Sequence, residues 1–137
     1  MPSKLNPYLS FNGTAREAMT FYKAALGGKL TLNTYKESNA SAGPSEDNKI
    51  MHGMLEADNG ITLMGSDAPK GAEHKPGTNV SISLSGDNEA ELTGYYKKLS
   101  AGGTIREPLA KAPWGDTFGM FADRFGIEWM VNIAGKK

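Results

Sequence analysis

The chain contains no cysteine. Disulfides, thiolate metal sites and cysteine nucleophiles are thereby excluded. It also lacks a charge surplus of either sign, because 15 Lys and Arg balance 15 Asp and Glu. Nucleic acid is not an expected partner, since binding it takes a basic stripe that neutralises phosphates. Apolar runs are only a few residues long, far short of the roughly 20 that a spanning helix needs, and no membrane partner is expected. The opening Met1-Pro2-Ser3-Lys4 has no apolar core of the kind a secretory signal carries, so the expected location is the cytoplasm. The glycines at 13, 27, 28, 43 and 53 do not have the spacing of a phosphate loop. No Ser–His–Asp or paired-carboxylate order stands out either.

What is present is a repeat. A length of 137 residues fits one compact domain, 1–137, with ordinary apolar and charged fractions. Between Phe11 and Leu30, the residues Ala15, Ala18, Met19, Tyr22, Ala25 and Leu26 follow helical spacing. Thr14 is the expected N-cap, with Glu17 completing a capping box, and Gly27-Gly28 end the helix. Seventy-four residues on, Asn88, Glu91 and Tyr96-Lys97 stand where Thr14, Glu17 and Tyr22-Lys23 stood, and Gly102-Gly103 follow with a one-residue slip. Each helix follows a short extended run, Pro7–Phe11 or Val80–Ser85. In the second run Val80, Ile82 and Leu84 alternate with serines, the period of a strand with one apolar face.

A second match needs no gap. Gly53, Met54, Gly60, Ile61 and Met64 recur as Gly119, Met120, Gly126, Ile127 and Met130. Each copy reads as strand, tight turn (Asp58-Asn59-Gly60 or Arg124-Phe125-Gly126) and returning strand. The fold class expected is therefore α+β, with two tandem βαβββ modules: module 1 over about 4–67, a Pro-, Gly- and Lys-rich linker over 68–77, and module 2 over about 78–135. Ser38 to Asn48 offers only alanines as apolar side-chain anchors, apart from the ring of Pro44, and reads as a mobile loop, a candidate lid.

The run Tyr8-Leu-Ser-Phe-Asn-Gly, Glu17-Ala, Phe21-Tyr-Lys, Met51-His52, Gly102-Gly103, Trp114-Gly-Asp-Thr-Phe-Gly119 and Asp123-Arg-Phe-Gly-Ile-Glu-Trp-Met130 resembles PhnB-like proteins. The resemblance covers nearly the whole chain, and its most specific parts are the Trp-Gly-Asp and Asp-x-Phe-Gly segments. It implies the vicinal-oxygen-chelate superfamily of glyoxalase I, extradiol dioxygenases and bleomycin-binding proteins. It also implies curved mixed sheets around a cup, helices on the outer face, and a homodimer. Metal-dependent members carry ligands on the first and last strand of each module. Carried over through the repeat, those positions fall on Pro7, Ser81, Met64 and Met130, none a good donor for a divalent cation. No metal and no cofactor are expected.

Strand parity places Leu9, Phe11, Thr62, Ser66, Ser83, Ser85, Glu128 and Asn132 on the cup face with those positions. Tyr8, Ile61, Leu63, Val80, Ile82, Leu84, Ile127, Trp129 and Val131 fall under the helices. The expected ligand-cup residues are Phe11, Thr62, Met64, Ser81, Ser83, Trp114 and Met130. Glu128 and His52 are the catalytic candidates. Glu128 is read either as a carboxylate raised by desolvation toward general-base use or as a surface residue. His52 is read either as a donor or ligand or as a packed side chain. Trp114-Gly115-Asp116 is either an aromatic wall with a carboxylate at the cup mouth or a structural turn with Trp114 against a helix. His74 reads as solvated. Two functions follow. One is metal-independent binding of a small, partly apolar ligand. The other is lyase, isomerase or dioxygenase-type catalysis, Glu-based or metal-dependent. A structural dimer is the third reading.

Overall fold

The structure, a computed structural model, describes residues 3–77 and 79–135. Thr78, where the second module is expected to begin, lies outside the described residues, as do Met1 and Pro2. Contacts divide the chain between Lys75 and Pro76 into two compact units. Residues 68–77 contain a turn but neither helix nor strand.

The first module runs β1 (Tyr8–Phe11), α1 (Ala15–Leu26), β2 (Lys29–Thr34), β3 (Ile50–Glu56) and β4 (Thr62–Asp67), with sheet order β1-β4-β3-β2. The second runs β5 (Ile82–Gly86), α2 (Glu89–Ser100), β6 (Thr104–Lys111), β7 (Thr117–Ala122) and β8 (Glu128–Ile133), ordered β5-β8-β7-β6. In each, the first strand is parallel to the last and the remaining pairs are antiparallel. A parallel pair cannot be joined by a hairpin, so a crossover helix must connect it to the rest and cover one face. The α+β architecture of two βαβββ modules is the one expected.

Each helix buries one stripe on its own sheet. In module 1, Ala15, Ala18, Met19, Tyr22, Ala25 and Leu26 are buried with Leu9, Phe11, Leu55 and Leu63. In module 2, Leu92, Tyr95, Tyr96 and Leu99 are buried with Leu84, Phe121, Trp129 and Val131. Gly53 and Gly65 are smooth spots beneath α1, where an added Cβ would press on Leu32 and Met19, or on Met19 and Phe11.

The helix caps differ from the expectation in one module. Asn88 accepts from the Glu91 N–H at 3.1 Å, as an N-cap should. Thr14 makes no side-chain cap. Its place is taken by Asp67 on the neighbouring strand, in register with Phe11 and 2% exposed. Asp67 Oδ1 accepts from the N–H of Gly13 and Ala15, and Oδ2 from the N–H of Ile50, all at 2.9 Å. One carboxylate thus ties together the start of α1, the start of β3 and the end of β4. In module 2 the buried Asp123 holds the last hairpin, accepting from the N–H of Phe125 and Ile127 and from Trp129 Nε1.

The parity of β1 is also reversed from the expectation. Leu9 and Phe11 point under α1, and Tyr8 and Ser10 point away, with Tyr8 53% exposed. Tyr8 lies beside Met64, while Ser83 lies beside Met130. The strands are thus related by 75 residues although the helices are related by 74. The extra residue sits in the connection, Asn12-Gly13-Thr14 in one module against Asp87-Asn88 in the other. Because strand periodicity is two, one residue exchanges the faces completely. Val80, expected under the helix, precedes β5 and is 75% exposed.

Ser38 to Asn48 carries internal hydrogen bonds. Ala40 N–H bonds Tyr35 O, Ser41 Oγ donates to Asp47 Oδ1 and accepts from the Gly43 N–H, and a short 3-10 turn over Pro44–Glu46 buries Glu46. Asp67→Ala should lower stability by roughly 3 kcal/mol or more, since several backbone donors lose a charged acceptor. Thr14→Ala should cost under about 0.5 kcal/mol. Urea unfolding of the two variants checks the pair, and equal losses would refute the assignment of the cap to Asp67.

Candidate functional site

Each sheet leaves the face opposite its helix without a helical cover, and cross-strand register says which side chains share it. In module 1, Met54 and Met64 are direct partners, Tyr8 flanks Met64, and Thr31 and Asn33 flank Met54 and His52. Thr62, Met64 and Ser66 alternate with buried Leu63, Gly65 and Asp67. His52 is half-buried, with Nδ1 at 3.5 Å from Tyr8 Oη and ring centroids 6.0 Å apart. This face therefore carries two thioethers, an imidazole and a phenol.

In module 2 the same register brings Met120 opposite Met130, Phe118 opposite Asn132, and Ser83 and Ser85 beside Met130 and Asn132. Glu128 is on this face, two residues before Met130, but it is not a lone carboxylate in an apolar setting. Arg106 Nε donates to Glu128 Oε1 at 2.8 Å and Nη2 to Oε2 at 3.3 Å. The hydrogen bond from Arg106 to Glu128, and then the opposite charge, push the guanidinium pKa above its ordinary value.

Trp114 stands in the β6–β7 turn, 62% exposed, its ring 5.7 Å from Phe118 in an edge arrangement. It packs on a strand residue and not on a helix. With Pro108, Phe118 and Met120 it lines a depression of about 260 Å³. Asp116 is used structurally, accepting from Asn132 Nδ2 at 3.0 Å and from the Gly135 N–H at 2.8 Å.

The structure therefore brings His52, Thr62 and Met64 together on one face, and Ser83, Glu128 and Met130 together on another, with Trp114 at the rim of the second. Phe11 does not belong to the site: it is 2% exposed beneath α1. Ser81 precedes β5, and Ser83 is the serine in register with Met130. Tyr8, Arg106, Phe118 and Met120 were missed. Met120 was visible as the repeat of Met54. Arg106 was not, because it reaches this face only through a bulge.

A separate cleft of about 540 Å³ in module 1 is lined by Arg16, Glu17, Thr20, Asn48, Lys49 and Asp67. Two of its charged groups are already engaged. Asp67 is caged by backbone donors, and Lys49 pairs with Glu46 at 2.8 Å, the hydrogen bond that holds the Glu46 carboxyl below its usual range.

The family model of the Glyoxalase/Bleomycin resistance protein/Dioxygenase superfamily matches residues 4–131, and the chain belongs to that superfamily. Protein YjdN of Escherichia coli K12 is 27% identical over 140 residues, covering 94% of each chain. The crystal structure of protein PA1353 from Pseudomonas aeruginosa superposes with a TM-score of 0.82 at 37% identity, covering 98% of this chain and 100% of that one. A PhnB protein from Bacillus cereus gives a TM-score of 0.78 at 26% identity, covering 96% and 100%.

The resemblance implies ligands on the first and last strand of each module in metal-dependent members. Here the observed register puts Tyr8 beside Met64 and Ser83 beside Met130. In neither module does the pair fit a divalent ion, a phenol with a thioether in the first and a hydroxyl with a thioether in the second, since such an ion takes imidazole or carboxylate donors. Among the described residues no group of three or more His, Asp or Glu is placed to hold one. The corrected placement of β1 is testable. Phe11→Ala should cost roughly 3–5 kcal/mol in urea unfolding, and Tyr8→Ala under about 1 kcal/mol. The reverse order would restore the original parity.

Proposed function

We propose that the chain is a PhnB-like member of its superfamily that binds a small, partly apolar ligand against the helix-free face of a sheet, without a metal ion. The observation that carries this reading is what each module places in register on its first and last strands, Tyr8 beside Met64 in the first and Ser83 beside Met130 in the second. Paired methionines are polarisable and adaptable, suited to an apolar ligand body. Serines, Asn132 and the Arg106–Glu128 pair supply the few polar groups that orient one. The engagement of Glu128 by Arg106 weighs against its use as a general base. The likeness to the Bacillus cereus PhnB protein supports the branch. Its provisional methyltransferase name is not carried over, because the sequence shows no motif for a methyl donor. A cytoplasmic homodimer completes the proposal. No helix of the described residues is long and apolar enough to cross a membrane.

Elemental analysis of untagged protein, purified without chelator, is the test, alongside thermal shifts with Ni, Zn, Mn and Fe(II). Substoichiometric metal and an unchanged Tm are expected, with Tm rising instead in a screen of small apolar molecules. Metal near one equivalent per chain, with a raised Tm, would overturn the proposal in favour of the enzyme reading.

A further inference from the structure

We infer that the helix-free face of module 2 selects a ligand that carries a carboxylate at the end of an apolar body, with Arg106 as the residue that binds the carboxylate and Glu128 as the residue that positions Arg106. The inference rests on the reading of that face as a binding surface.

The argument begins with the backbone of β6. Ile105 is in register with Phe121, and Glu107 with Met120, so β6 spends one residue more than β7 at this point. A bulge of this kind breaks the alternation and re-aims a side chain. Phe121 is buried on the helix side and Met120 is half-buried on the other. Glu107 is the register partner of Met120, and the inserted Arg106 before it reaches Glu128, which lies on the Met130 face of β8. A second extra residue follows between Glu107 and Ala110, around Pro108, which has no N–H to contribute to a ladder. Gly119 accommodates this bend, since an added Cβ there would meet Leu109 and Tyr96.

The guanidinium is therefore held from one side. Glu128 takes Nε and Nη2 in a side-on fork, the preferred approach of a carboxylate to arginine. The two partners are unequally exposed, with the Glu128 side chain at 15% and that of Arg106 at 51%. The carboxylate is the fixed, inner member and the guanidinium the outer one. No other hydrogen bond of Arg106 is made among the described residues, so its outward edge is available for a second planar anion. Lysine could not do this, because an ammonium held by Glu128 presents no second fork.

The apolar part of the ligand is placed by the same register. Met130 is two residues from Glu128 on one face of β8, roughly 7 Å along the strand, and Met120 is its cross-strand partner. Beyond them lies the depression lined by Phe118, Pro108 and Trp114. A carboxylate at Arg106 thus directs a body of bicyclic size over two thioethers toward an aromatic rim.

The probes are 2-naphthoate and its neutral isostere 2-naphthamide, titrated into the full chain with the Met120 and Met130 methyl signals followed by 1H–13C NMR. Both should shift those methyls, with naphthoate binding about tenfold more tightly. Arg106→Gln should abolish the preference, read as the ratio of the two affinities within that variant. The double variant Arg106→Gln/Glu128→Gln, which leaves no unpaired carboxylate, should do the same, and Arg106→Lys should keep little of it. Equal binding of both probes by the native protein, or a preference that survives in the double variant, would overturn the inference and leave the binding face standing. If neither probe shifts either methyl, the binding face and the inference fall together.

Discussion

The first module is organised around the carboxylate of Asp67, buried at the end of β4 and surrounded by backbone donors. A charged group in that position is stable only because several N–H groups that no strand or helix would otherwise satisfy converge on it. Those donors come from the β1–α1 connection and from the start of β3. The carboxylate therefore sets where α1 begins and how it lies over the sheet, which decides which side chains are core. Tyr35 belongs to the same arrangement, donating to the Asp67 carbonyl at 2.8 Å, and burial followed by the nearby carboxylate pushes its phenol pKa up. Module 2 reaches a comparable result with other residues: Asn88 caps its helix, and Asp123 is spent on the last hairpin and on Trp129.

This difference explains how far the sequence could be read. Helical spacing, the Gly27 and Gly102 stops and the ungapped hairpin repeat were local signals, and the element order follows from them. The cap of α1 was not local. Thr14-x-x-Glu17 has every feature of a capping box, yet an acceptor fifty-odd residues away won, because it is charged, buried and shared among three donors. No single-sequence pattern announces such a competitor. The inversion of β1 has a similar origin. The helices repeat at 74 residues and the strands before them at 75, because the first connection holds one residue more, and no local pattern marks that residue.

The site was legible to the extent that it lies on β4, β5 and β8, where alternation is regular. Thr62, Met64, Ser83, Glu128 and Met130 were placed on the correct faces from period two alone. Phe11 was misplaced by the inversion. Arg106 was hidden because β6 abandons period two, and every residue from Thr104 to Lys111 except the half-buried Leu109 is exposed. Irregular strands conceal from pattern-reading the residues they are bent to present.

The unequal connections, Asn12-Gly13-Thr14 and Asp87-Asn88, have a consequence for how a duplicated architecture can diversify. Adding one residue there leaves the helix on its sheet and the ladder to the last strand intact, yet exchanges which half of the first strand is displayed. A tyrosine next to a histidine is shown by one copy, and a pair of serines by the other. Two halves of common ancestry can in this way acquire separate chemical vocabularies through a single-codon insertion, with no change of fold. Symmetry of the backbone is then no guide to symmetry of what is recognised.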